Sequence, residues 1–252
     1  MKRLVAALAL LVSLPALAHN LRLVNPSATL DGANAVVSVD VSWDTSWRDS
    51  VNWDAAWLFV KYRKDGGAWK HATLDTEDAR HGAAPGSAIT AVSDGKGVFV
   101  YRAATGSGSV SYPGTRLRWN LAADGLANLA GVEFNVYGIE MVYVAEGAFS
   151  LNTQESAKLL CEFVPVEGST TQITSEAALP AGAIRWIADG PGGGTGNPIS
   201  ANGKTYYGSD ALSDKYPKGF GAFYAMKYET SQQQYVDFLN TLSRAQQRVR
   251  VG

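Results

Sequence analysis

Cysteine is almost missing from this chain. Cys161 stands alone, so no intrachain disulfide can form and no cysteine pair is available for thiol redox chemistry. It lies in Leu159-Leu160-Cys161-Glu162-Phe163-Val164 without a basic neighbour to stabilise a thiolate. It therefore reads as a small buried residue on a strand. Histidine is scarce too: only His19, His71 and His81 could act as a neutral-pH base, and there is no G-x-S-x-G nucleophile elbow. Lys and Arg are scattered and the net charge is −1, which argues against a nucleic-acid partner. Beyond the first twenty residues no apolar run is long enough to cross a bilayer. Carboxylates are plentiful, but no pair is set apart for acid–base work.

The exception to that lack of apolar runs is the beginning. Lys2 and Arg3 precede an apolar stretch from Leu4 to Leu14, Pro15 breaks it, and Ala16-Leu17-Ala18 is an A-x-A cleavage pattern. Residues 1–18 thus read as a secretory signal peptide, with a mature chain starting at His19 and no stable membrane span after cleavage. No cysteine follows the cleavage pattern to carry a lipid. The expected location is exported, periplasmic or extracellular. Abundant Gly and modest charge suit a β-rich exported protein.

Alternation carries most of the fold reading. Val37, Val39, Val41 and Trp43 alternate with Ser38, Asp40 and Ser42, as in a half-buried strand. Residues 55–62 (AAWLFVKY) are apolar on both faces and predict a central strand, followed by a turn at 64–67 and a return arm over 68–74. Further strands are expected around Val98–Tyr101, Thr115–Trp119 and Val132–Val136, with a turn at Asp94-Gly95-Lys96-Gly97. Short strands, Gly-rich turns and no early helix predict an Ig-like β-sandwich over residues 19–138. Gly138 interrupts the alternation, so a second domain is expected over 139–252, opening with a strand at 139–144. Within it, Gly203-Lys204-Thr205 resembles the end of a phosphate loop, but Pro198 occupies the position of the required Gly and the strand–loop–helix context is missing.

The first convincing helix comes last. Tyr235, Phe238, Leu239 and Leu242 fall on one face at i, i+3, i+4 and i+7. Thr230 with Gln233, or Ser231 with Gln234, offers a capping box. Residues 222–228 (AFYAMKY) read as a strand before it, and residues 245–248 still read as helix after it. The greasy face needs cover from residues 139–229, from a partner, or from sequence beyond Gly252.

The stretch from Phe223 through Tyr228-Glu229-Thr230-Ser231 to Gln234-Tyr235 and Phe238-Leu239-Asn240 resembles the start of a formylglycine-generating enzyme (sulfatase-modifying factor) domain. Residues 140–149 (EMVYVAEGAF) resemble that domain's first strand and turn, with Ala145 where the family has Pro and Leu151-Asn152 near its usual Met-Gly. Residues 42–44 and 57–63 resemble a Trp-rich β-domain preceding it in some exported bacterial proteins. The resemblance implies a mainly β chain with an incomplete mixed α/β, C-type-lectin-like second domain. It implies family-motif positions at Tyr228, Glu229, Thr230, Gln234, Tyr235, Phe238, Leu239 and Asn240. Active members hold copper on two late cysteines and oxidise a substrate cysteine. Cys161 lies too early to be either, so no catalytic residue and no cofactor are expected in this chain, and copper only in a complete family domain.

The expectation is an exported, non-catalytic protein that binds or presents an unknown protein or glycan. The alternative is a truncated piece of a formylglycine-generating oxidase. A third possibility is a copper oxygenase. There the amine and imidazole of His19, freed by cleavage, would chelate copper with His71 as second ligand; otherwise His71 is a plain strand residue. The Trp set Trp43, Trp47, Trp53, Trp57 and Trp69 serves either a core or a sugar-stacking platform, with Trp47 and Trp53 in a polar loop from Asp44 to Asp54 as the exposed candidates.

Overall fold

The computed structural model describes residues 20–151, 161–164, 171–180, 185–188, 199–201, 204–208 and 211–250. Residues 1–19, which include the expected signal segment and His19, lie outside them, as does most of the Gly-rich stretch at 190–203. The chain is mainly β and is built around one large antiparallel sheet. It forms two compact units, one from residues up to 141 together with 226–252, the other from 142–225. The boundary expected at residue 138 therefore falls inside a strand, and the last segment of the chain belongs to the first unit.

In the first unit, β1 (Arg22–Asp31) and β2 (Asn34–Arg48) make a hairpin, and β2 pairs on its other edge with β7 (Gly106–Trp119). A second ladder centres on β3 (Trp53–Lys64), flanked by β6 (Val98–Arg102) and then β5 (Ser87–Ala91), with β8 (Val132–Val144) also pairing with β3. The short β4 (Lys70–His71) pairs Lys61 with His71, so the return arm expected over 68–74 shrinks to two residues. The two ladders join where Arg48 pairs with Trp53. Alternation worked as expected in β2: Val37, Val39, Val41 and Trp43 are buried, and their partners between are not. Leu58 and Val60 of β3, Val98 and Val100 of β6 and Leu117 and Trp119 of β7 complete the same apolar cluster.

Two expectations need correction. Gly138 does not end a strand; β8 runs through it to Val144. A Cβ there would stand 2.7 Å from Leu21 and 3.1 Å from both Leu23 and Leu58, so the Gly lets three leucines close over the strand. Nor is there a polar loop from Asp44 to Asp54. A bulge at Thr45, whose φ is +55°, shifts the β2 register. The β2–β3 connection is only residues 49–52, tied by Asp49 Oδ1 accepting the N–H groups of Val51 and Asn52, both at 2.7 Å. Trp47 and Trp53 are therefore strand residues, and both are half-buried.

Gly97, in the turn before β6, is fixed by contact. A Cβ there would sit 2.2 Å from Trp57 Nε1 and 2.8 Å from the Leu58 carbonyl. Gly97→Ala should destabilise this unit by about 1–3 kcal/mol through overpacking, read as a lowered urea midpoint. Gly147→Ala, which meets nothing within 4 Å, should change stability by less than about 0.5 kcal/mol.

The second unit has a two-stranded ladder, β9 (Phe149–Leu151) with β11 (Thr171–Ile173). Its other sheet runs in the order β10 (Cys161–Val164), β12 (Arg185–Ala188), β14 (Lys204–Gly208), β13 (Ile199–Ala201). Cys161 thus opens a strand; its side chain lies outside the described part. Lys204 and Thr205 are strand residues. The Glu176 carboxylate accepts the backbone N–H groups of Lys218, Phe220 and Gly221 at 2.5, 2.8 and 2.9 Å. Those bonds, led by Lys218 and Gly221, hold it below the usual carboxylate range. Strand β15 (Phe223–Met226) pairs with β8 and leads the chain back into the first unit.

Candidate functional site: a groove between the sheet and the C-terminal helix

What returns the C-terminal segment to the first unit is a buried charge. Lys227 donates its backbone N–H to the Glu140 carbonyl at 2.9 Å, continuing the ladder. Its Nζ sits 2.8 Å from Asp54 Oδ2, 3.6 Å from Glu140 Oε2 and 3.3 Å from the Thr45 carbonyl. Both carboxylate side chains are 1% exposed and Lys227 is 13% exposed. Asp54 also accepts from Trp43 Nε1, the Ser46 hydroxyl and the Trp47 backbone, at 3.0–3.1 Å. Burial alone would push Lys227 down, but the hydrogen bond to Asp54 and its charge, with Tyr228 and Glu140, raise it above the usual lysine range. No feature of the sequence around Lys227 announced this cluster, because its partners come from distant strands.

Beyond Lys227, Ser231 caps helix α1 (Gln232–Asn240). Its hydroxyl accepts from the Gln234 N–H at 3.2 Å and Gln234 Oε1 accepts from the Ser231 N–H at 2.9 Å. Of the two capping boxes expected, this is the one that forms. A second box, Ser243 with Gln246, opens α2 (Arg244–Arg248). The S-x-x-Q spacing could have revealed it.

The helix does not present the face its apolar periodicity suggested. Gln234, Asp237, Phe238 and Thr241 line a groove of about 590 Å³ against the sheet. Tyr235 and Val236 are instead 43% and 46% exposed, and even Phe238, at the groove edge, is 44% exposed. Leu239 and Leu242 are half-buried. The groove-side face is thus one position earlier than expected and mostly polar. Of the other family-motif positions, Tyr228 lies beside the Lys227 ammonium at 5.5 Å, Glu229 is exposed, Thr230 lines the groove rim and Asn240 ends α1.

The opposite wall is apolar and aromatic. Phe59 of β3 contacts His71 at 5.3 Å and stacks on Tyr137 of β8 at 5.5 Å, and Leu21, Leu23 and Val136 continue the wall. Lys61 and His71 add the polar groups on this side. Burial, then the charges of Lys61 and Lys96, hold His71 below the usual imidazole value, against smaller opposing effects of the Ala72 backbone and Asp94. It is therefore neutral near pH 7. Its Nδ1 is buried and makes no well-formed hydrogen bond among the described residues. Burial likewise lowers Lys61, whose ammonium has no ion pair or hydrogen bond to a described residue.

The other sequence candidates lie elsewhere. Trp53 stacks on Tyr101 at 5.3 Å, and the Arg48 guanidinium covers both rings at 4.7 and 5.2 Å. Trp43 is core, Trp57 packs on Phe59 and Trp69 takes the Arg63 guanidinium at 5.0 Å. Trp47 runs beside β7, its backbone held by Asp54. His71 is on a strand, as one reading had it, while His19 lies outside the described residues. Among the described residues no cluster of three or more His, Cys, Asp or Glu is arranged to hold a metal. Nor is any described helix long and apolar enough to cross a membrane. Comparison of the chain with family models, curated proteins and solved structures finds no match.

Proposed function

We propose that this is an exported, non-catalytic binding protein of the sulfatase-modifying factor lineage, and that the groove under α1 is where it binds. The observation that carries the reading is the groove itself. Its volume of about 590 Å³ falls in the range of small-molecule sites, and it combines an apolar wall with a few convergent polar groups. The lineage rests on the order of motifs from Glu140 to Asn240. The two ladders of the first unit, joined at Arg48 and Trp53, we read as the layers of an Ig-like sandwich. The single cysteine of the sequence supports a binding role over the family's oxidation, which uses two.

A neutral apolar probe tests the site. Octanol titrated into isotope-labelled protein should shift amide signals of Phe59, His71, Val136–Ile139 and α1. Gln233→Trp, which fills the groove from the helix side, should weaken that binding by about tenfold or more, corresponding to about 1.4 kcal/mol. Shifts confined to other surfaces, or none below the solubility limit of octanol, would overturn the proposal.

A further inference from the structure

We propose that the groove takes a monocarboxylic acid with an aliphatic body, the ammonium of Lys61 serving as its counter-cation. The inference rests on the groove being a binding site and adds the class of ligand. Lys61 projects into the groove from the outward face of β3, half-buried. A cation held partly out of water is normally paired. Here no ion pair or hydrogen bond to a described residue offsets the loss of solvent. The one acid on the groove wall, Asp237, accepts from Gln233 Nε2 at 2.8 Å and makes no ion pair with Lys61. Lys227, a second lysine of this unit with its charge withdrawn from water, has two buried carboxylates beside it. The contrast points to a ligand that brings one negative charge to Lys61.

The neighbour of Lys61 is suited to a carboxylate. His71 is the cross-strand partner of Lys61, and a neutral imidazole can donate one N–H to a carboxylate oxygen without adding a second charge. One lysine and one neutral donor match one carboxylate; a phosphate dianion would ask for more cationic donors than the wall supplies. The rest of the ligand is set by Leu21, Leu23, Val136 and Phe238. These side chains carry no hydrogen-bonding group, so a hydroxyl-rich body such as a sugar would lose its water there without replacement.

Octanoate, octanol and octyltrimethylammonium share one chain and differ in the head. Calorimetry or amide-shift titration should find octanoate, below its micellar range, bound about tenfold more tightly than octanol, with the ammonium weakest. Lys61→Met should remove the advantage of octanoate over octanol, while Lys61→Arg keeps most of it. Lys61→Met should also leave the ligand-free protein with a melting temperature equal to or above that of the parent, because it removes an unpaired cation. If octanol binds in the groove as tightly as octanoate, or Lys61→Met weakens both alike, the acid is the wrong class and the groove reading stands. If none of the three probes perturbs the groove, both readings fail together.

Discussion

Replacing Lys227 by Met should destabilise the first unit by about 3–5 kcal/mol, the usual cost of stripping the partner from a buried charge. The reasoning is asymmetric. Lys227 faces two carboxylates, Asp54 and Glu140, each 1% exposed in its side chain. The methionine would fill much of the same volume, so the loss is electrostatic rather than steric. Asp54 retains its bonds from Trp43, Ser46 and Trp47, which hold a carboxylate in place but supply no opposite charge. Lys64→Met is the contrast: that side chain is exposed, and its loss should register within about 0.5 kcal/mol. Six of the seven tryptophans lie in the first unit, so fluorescence during urea unfolding follows the relevant transition.

The same cluster predicts a pH limb. Despite its burial, Lys227 titrates above the ordinary lysine value in the folded protein, through its hydrogen bond to Asp54 and the charges around it. A base whose folded value is raised adds stability that is fully present below the unfolded value and is lost as pH rises through the folded one. Parent stability should therefore fall above about pH 10.5 by an amount that Lys227→Met no longer shows. If the variant keeps the parent's alkaline slope, the cluster is not the origin of that limb.

The sequence was informative wherever a side chain's fate depends on its near neighbours. Val37 to Trp43 alternate because one face of β2 is buried, and a period of two is visible without knowing what covers it. Ser231 and Gln234 meet across one helical turn, so spacing sufficed to nominate their box. Reading failed where distant contacts decide. Gly138 resembles a break, but its lack of a Cβ accommodates Leu21, Leu23 and Leu58. The strands through Trp47 and Trp53 looked like a loop because a bulge at Thr45 and polar residues around Asp49 disguise a tight hairpin. The apolar periodicity of α1 identified a helix correctly. It could not tell that the face at Gln234, Asp237 and Thr241 turns to the sheet, since that orientation is imposed by the anchor at Lys227 and the cap at Ser231. The site candidates fared accordingly. His71 and part of the C-terminal motif converge on the groove, whereas Lys61, on a strand read only as hydrophobic, was passed over.

Trp119→Ala should cost about 3–5 kcal/mol, the range for removing a buried aromatic side chain, and its interest lies in how that cost is shared with Asp124. Trp119 is fully buried, with its ring 5.0 Å from that of Tyr62. Its Nε1 donates to Asp124 Oδ2 at 2.6 Å. Asp124 also accepts the Thr73 N–H at 2.9 Å and the Thr73 hydroxyl at 2.8 Å. One carboxylate thus fastens the end of β7 to the segment after β4. Asp124→Ala removes both acceptor oxygens, so the Trp119 and Thr73 N–H groups lose their shared partner. That should cost about 1–3 kcal/mol. The double variant should lose less than the sum of the two, by about 0.5–3 kcal/mol. Once the indole is gone, its N–H can no longer be stranded by loss of the carboxylate. Strict additivity would mean that Asp124 acts through Thr73 alone and that Trp119 is held by packing. A coupling in the expected range would instead make the indole–carboxylate bond the clamp that closes this end of the sheet.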